Sequence, residues 1–131
     1  MSRKSKGISA ERELIHLFWG TGNWAAIRVA GSGAIKYPVP DLLAANNIRK
    51  LAIECKSTKS KQQHLDKEQI DGLREFAQKF GTEAWIGVRF NNEGWRFLSL
   101  EDLKQTPLGY SANFTHAEAK GLSFDELIGK F

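Results

Sequence analysis

Pro40-Asp41-Leu42, read together with Ile53-Glu54-Cys55-Lys56, decides how the rest of the chain is organised. Asp41 stands just ahead of the short apolar run Leu42-Leu43-Ala44-Ala45, and Glu54 and Lys56 end the run that begins at Leu51. Successive side chains of a strand point to opposite faces, so Glu54 and Lys56 share one face while Ile53 and Cys55 point away. Set side by side as strands, the two runs bring Asp41, Glu54 and Lys56 together at one end of a sheet. Two acids sharing a site repel unless a cation lies between them, and a hard divalent ion such as Mg²⁺ prefers carboxylate oxygens. A lysine beside them can hold a water or a phosphate oxygen. The same letters also describe an ordinary strand whose tip carries solvated charges.

The spacing P-D-(x)n-E-x-K resembles the nuclease superfamily known as PD-(D/E)xK, which implies phosphodiester cleavage. Two acids and a lysine at a flexible spacing are common, so the remaining sequence has to choose between the two readings.

At 131 residues the chain is read as a single domain spanning residues 1–131, with room for one core. The formal net charge is +4, from 19 Lys+Arg and 15 Asp+Glu. Arg3, Lys4 and Lys6 precede the first acid, and Lys56, Lys59 and Lys61 follow the motif directly. Basic clusters favour polyanions such as nucleic acid, although any single one is more often a solvated face. One cysteine excludes an internal disulfide, and no apolar run approaches membrane-spanning length. A cytoplasmic, nucleoid-associated protein without a membrane partner is expected.

Residues 1–8 read as a flexible basic arm. Ser9 is placed to cap a helix from Ala10, with Glu11 and Glu13 in its first turn and Leu14, Ile15, Leu17 and Phe18 as its apolar stripe. Glu11 falls on the inward side, where it is either a simple N-terminal helix charge or a third carboxylate beside Asp41 and Glu54. Arg12, turned about 100° around the helix, faces outward. Trp24 to Ala30 reads as a strand containing Arg28, and Gly31-Ser32-Gly33 is a connector or a loop able to approach a phosphate through its amides and the Ser32 hydroxyl. Leu42–Ala45 and Leu51–Lys56 complete an antiparallel meander. A polar loop then leads to a helix opened by Asp66, with Gln69 as its capping-box partner, and closed by Gly81. Its stripe is Ile70, Leu73, Phe76, Ala77 and Phe80, and the two phenylalanines are either core or a dimer seam. Strands over Ala84–Phe90 and Trp95–Leu100 follow, the pattern loosens beyond Thr106-Pro107, and Ser123-Phe124-Asp125-Glu126 opens a final short helix. The expected class is α/β: a restriction-endonuclease-like sandwich with a central five-stranded mixed sheet flanked by helices.

With these elements placed, the chain resembles the archaeal Holliday-junction resolvases of the Hjc type, within the superfamily named above. The residues that carry the likeness are Lys6-Gly7-(x3)-Glu11-Arg12-Glu13-Leu14, Arg28-(x2)-Gly31-Ser32, Pro40-Asp41-Leu42-(x2)-Ala45, Ile53-Glu54-Cys55-Lys56 and Gly94-Trp95-Arg96-Phe97. The resemblance implies a homodimeric, Mg²⁺-dependent endonuclease, with Mn²⁺ able to substitute, that nicks two opposite strands of a four-way DNA junction. It implies Glu11, Asp41 and Glu54 as metal-site acids and Lys56 as the catalytic lysine. Ser32 would lie on a mobile active-site loop and is counted with the catalytic set. Arg12 and Arg28 would contact DNA, and Arg3, Lys4 and Lys6 either join them or form a solubilising tail. The implied partners are four-way junction DNA, a second copy of the chain, and recombination or sliding-clamp proteins whose contacts no motif marks.

Junction preference on this reading rests on phosphate contacts and shape, because a moving junction has no fixed sequence. Two rivals stay open: a duplex or fork endonuclease on the same fold, and a junction-binding module without catalysis. His16, His64 and His116 lack the spacing of a zinc site.

Overall fold

Leu42, Ala44, Leu51 and Ile53 are all buried in one cluster, while Ala52 is buried in another. That alternation is what two adjacent strands covered on both faces require. The computed structural model describes residues 3–29 and 36–129, with side chains from residue 7 onward. Its elements are α1 (Arg3–Gly20), β1 (Ala25–Arg28), β2 (Leu42–Ala45), β3 (Lys50–Thr58), β4 (Gln62–Asp66), α2 (Lys67–Phe80), β5 (Glu83–Phe90) and β6 (Gly94–Ser99). After a short 3₁₀ turn come β7 (Lys104–Thr106), β8 (Gly109–Asn113), α3 (Phe114–Lys120) and α4 (Phe124–Leu127).

Five strands form the central sheet in the order β1-β2-β3-β5-β6. The pairs β1–β2, β2–β3 and β5–β6 are antiparallel, and β3–β5 is parallel, so the sheet is mixed as expected. The parallel pair is bridged by a crossover containing α2, the connection that parallel neighbours need. One face packs Leu14 and Phe18 of α1 and Leu127 of α4 against Ile53 and Phe97. The other packs Ile70 and Leu73 of α2, Leu65 of β4 and Phe114 of α3 against Ile86 and Val88. Gly87 leaves room on the sheet face for the ring of its cross-strand partner Phe97. A Cβ there would lie 2.9 Å from the Phe97 ring.

Several expectations need correction. Helix α1 begins at Arg3 rather than Ala10, so the basic segment from Arg3 onward is helical instead of a loose arm. Its buried stripe is Ala10, Leu14 and Phe18, and Leu17 remains 38% exposed. Asp66 does precede α2, but its side chain makes no cap hydrogen bond and lies 3.1 Å from His64 Nε2 instead. Gly81 closes α2 in the left-handed conformation at φ 82°, as its position predicted. The capping box at Ser123 and Glu126 is formed.

The polar stretch before α2 is not a loop. Strand β4 pairs with β8, and β8 with β7, in a second antiparallel sheet of order β4-β8-β7. Only Leu65 of β4 is buried, and β8 buries the small residues Ser111 and Ala112. One apolar side chain in a strand leaves no alternation to read, and the pairing partner lies far along the chain.

Candidate active site

One step beyond the Leu42–Ile53 pair of β2 and β3, Asp41 meets Glu54 across the strands. Two backbone contacts fix Asp41. The Val29 amide donates to its carbonyl at 2.9 Å, and the Cys55 amide donates to its Oδ2 at 2.8 Å. Lys56 lies two residues past Glu54 on the same face of β3, half-buried. Cys55 packs against the opposite cluster. The alternation read from the sequence is therefore realised.

The two acids crowd one another. Glu54 is largely buried, and its carboxyl is pushed up to about 9, first by burial and then by the hydrogen bond and charge of Asp41; Lys56 offsets part of this. Like charges this close repel, and a cation lying between them would relieve that repulsion. Glu11, on α1, is also held above its ordinary range, by burial first and the Asp41 charge second, with Arg28 opposing both. Arg28 Nε stands 3.3 Å from Glu11 Oε1. Burial likewise pushes the Cys55 thiol well up, with Asp41, Glu11 and Glu54 adding to it.

Glu11, Asp41, Glu54, Lys56 and Arg28 are thus brought into one electrostatic neighbourhood. Among the described residues, however, no three His, Cys, Asp or Glu groups are gathered closely enough to enclose a metal ion. Glu11 is engaged by Arg28 instead of joining the Asp41–Glu54 pair. In donor chemistry the pair fits a hard divalent cation, since it offers adjacent carboxylate oxygens with the further acid Glu11 nearby. Arg12 is exposed on α1. Ser32 lies outside the described residues, as do the side chains of Arg3, Lys4 and Lys6.

One contact set went unread in the sequence. The Glu13 carboxylate accepts from Arg89 Nε at 3.0 and 3.1 Å and from Trp95 Nε1 at 2.8 Å. Burial works against its charge, but these hydrogen bonds outweigh it and hold Glu13 below the ordinary carboxylate range. They clamp the half of α1 that carries Glu11 and Arg12 onto β5 and β6. The partners are 76 and 82 residues away along the chain, so no local pattern could signal them.

The family model described as archaeal Holliday junction resolvase (Hjc) matches residues 2–131. The chain is 38% identical over 128 residues to a crossover junction endodeoxyribonuclease Hjc of Archaeoglobus fulgidus, covering 98% of this chain and 93% of that one. It is 35% identical over 130 residues to the Hjc of Sulfolobus acidocaldarius, covering 98% and 90%. The solved structure of Archaeoglobus fulgidus Hjc, a Holliday junction resolvase, superposes with a TM-score of 0.86 at 34% identity, covering 96% of this chain and 98% of that one. No helix among the described residues is long and apolar enough to cross a membrane. Placed by a family match that spans nearly its whole length, the chain belongs to the archaeal Holliday junction resolvase (Hjc) family.

Proposed function

We propose that this chain, as one nuclease domain, is a structure-selective endonuclease that resolves four-way DNA junctions by Mg²⁺-dependent paired nicks and acts as a homodimer. The observation that carries the chemistry is the half-buried Asp41–Glu54 pair beside Lys56, formed where the chain enters β2 next to the middle of β3.

Asp41 and Glu54 would hold the divalent ion, with Glu11 as the third carboxylate. Mg²⁺, which Mn²⁺ can replace, supplies Lewis acidity toward water and a phosphate oxygen when bound. Lys56 orients the attacking water and offsets the negative charge that grows on the phosphorus centre. The water gives up one proton to solvent as its oxygen bonds to phosphorus, and the bond to the 3′ oxygen breaks. That leaves a 5′-phosphate and a 3′-hydroxyl protonated from solvent. The exposed Arg12 and the partly exposed Arg28 guanidinium are available to the flanking phosphates.

Paired nicks need two sites, and an apolar face supports a second copy. Ile27 and Phe80 are each 59% exposed and Tyr37 75%. The Phe80 ring stacks on Phe76 at 4.9 Å with an interplanar angle of 17°. Contiguous exposed apolar surface of this kind marks an interaction site.

The test is cleavage of an immobile four-way junction beside a linear duplex of matching sequence, with Mg²⁺ and with EDTA. Symmetric nicks in the junction alone, and only with Mg²⁺, are expected. Equal cutting of both substrates would move the reading to a general duplex endonuclease. Tight binding without cutting would leave a binding module.

A further inference from the structure

Lys56 does not stand alone on its face of the sheet. It pairs across β3–β5 with Val88, and Val88 pairs across β5–β6 with Arg96. Residues directly opposite one another share a face, so Lys56 and Arg96 lie in one cross-strand row, roughly 10 Å apart at the usual strand spacing. Arg96 also has its guanidinium carbon 5.9 Å from the centre of the Phe114 ring, and Lys61 Nζ lies 5.1 Å from the same ring. One aromatic ring thus gathers two cations, from β6 and from the β3–β4 connection.

That connection is built to hold its shape. The Thr58 and Ser60 hydroxyls lie 3.1 Å apart, and the Ser60 amide donates to Thr58 Oγ1 at 3.1 Å. Ser60 Oγ donates to the Gln62 carbonyl at 2.7 Å and accepts from the Gln62 amide at 3.1 Å. The flanks are pinned as well: the Asn91 amide donates to the Thr58 carbonyl at 2.9 Å, and the Phe114 amide to the Lys61 carbonyl at 2.7 Å. Lys59 and Lys61 are exposed on this tied loop. Among the described residues neither lysine forms a salt bridge, and Arg96 spends one N–H on its neighbour's carbonyl while lending some charge toward Glu126. Lysines offered to solvent from a fixed loop, beside a catalytic lysine, cost little ordering when a polyanion binds.

We propose that Lys59, Lys61 and Arg96 form a phosphate-binding ledge that tracks the DNA arm leaving the cleavage site, continuing the contact that Lys56 begins. This rests on the nuclease reading above and extends it to how an arm is held. The ledge acts on binding, and the chemical step stays with the acids and Lys56.

The experiment compares wild type with the Lys59→Gln/Lys61→Gln double variant, which removes two charges but keeps most of each side-chain stem. Junction binding is followed by fluorescence anisotropy in EDTA across a salt series, so neither metal nor cleavage enters the readout. The slope of log K against log[salt] should fall by about 1.8, close to 0.9 for each lost phosphate contact. Affinity near 0.1 M salt should weaken on the order of tenfold. The melting temperature and the nicking rate at saturating enzyme should stay at the wild-type level. An unchanged salt slope overturns the ledge, and so does a nicking rate that falls at saturation with affinity intact. If the wild type itself cuts duplex and junction alike while the slope drops as expected, the junction reading fails and the ledge stands.

Discussion

Arg28 Nε lies 3.3 Å from Glu11 Oε1, so one basic residue expected to touch DNA neutralises one acid expected to touch a metal. The Glu11 side chain is only 13% exposed and that of Arg28 39%, so this pair is screened less than a surface bridge. Glu11 cannot serve Arg28 and a cation fully at once. On the proposed roles, a phosphate that takes the guanidinium would free the carboxylate and would couple DNA arrival to completion of the acid cluster.

Replacing Arg28 by Ala should therefore have two opposite effects. Without DNA, Mn²⁺ affinity should tighten about fivefold, the equivalent of roughly 1 kcal/mol for a half-buried pair. Junction affinity should weaken. Calorimetric titration with Mn²⁺ alone separates the two, and an unchanged metal affinity would mean that Arg28 and the cation do not compete.

Asp41→Asn should reduce nicking by at least about a thousandfold, because it removes a charge from the proposed metal site. Asn retains an oxygen able to accept from the Cys55 amide, which Asp41 now engages at 2.8 Å, so the strand entrance should survive. Circular dichroism and junction binding should match wild type. Cleavage at the wild-type rate would falsify the assignment.

Glu13→Ala should act on the site at a distance. It leaves the Trp95 N–H, largely buried, and Arg89 without their acceptor, at a cost of about 1–3 kcal/mol. If the clamp positions α1, the Mg²⁺ concentration needed for half-maximal nicking should rise, while Glu13→Gln should restore part of it through its remaining carbonyl oxygen. A purely structural loss would lower the melting temperature with the Mg²⁺ requirement unchanged.

How far the sequence disclosed this arrangement depended on how local each signal was. Glu54 and Lys56 share a face of β3 by strand period alone, and Asp41, at the entrance to β2, joined them once the two apolar runs were read as neighbouring strands. The second sheet was hidden because Gln62, Gln63, His64 and Asp66 surround a single buried Leu65, and β8 offers Ser111 and Ala112 in place of large apolar residues. The true start of α1 was hidden because Ser9 offered a good cap, whereas the helix runs on from Arg3. Glu13 looked like a first-turn helix charge, since its partners Arg89 and Trp95 belong to strands far along the chain.

Stability should depend on pH through Glu83. Arg49 donates to both Glu83 oxygens at 2.8 Å, and Trp85 Nε1 adds a third bond at 3.0 Å. The Arg49 hydrogen bonds hold Glu83 below the ordinary carboxylate range against the opposing effect of burial, with Trp85 helping. A lowered folded-state value means that the contribution is fully present above the unfolded value near pH 4.3 and is lost as pH falls through the folded one. The pair is about one-third exposed, so roughly 1 kcal/mol, or about 3–5 °C in melting temperature, is expected after screening. Melting curves of wild type and Glu83→Gln should differ by a constant gap from pH 7 to about 5 and converge below about 4. A gap that persists at pH 3 would assign the stability to packing.

Phe80 tests the second copy. At 59% exposure its ring contributes little to the monomer's core, yet it stacks on Phe76 and borders the exposed Ile27 face. Phe80→Glu should therefore leave the monomer folded, with a melting temperature within a few degrees of a matched monomeric reference, and should place a charge in the centre of any apolar seam. Burying an unpaired carboxylate costs several kcal/mol, and a two-fold seam would meet that cost twice. Sedimentation should then show wild type at twice the chain mass and the variant at the chain mass. On a cruciform plasmid, where paired nicks linearise and single nicks only relax, the variant should yield nicked circles in place of linear product. A variant that still sediments at twice the chain mass would put the seam elsewhere on the surface.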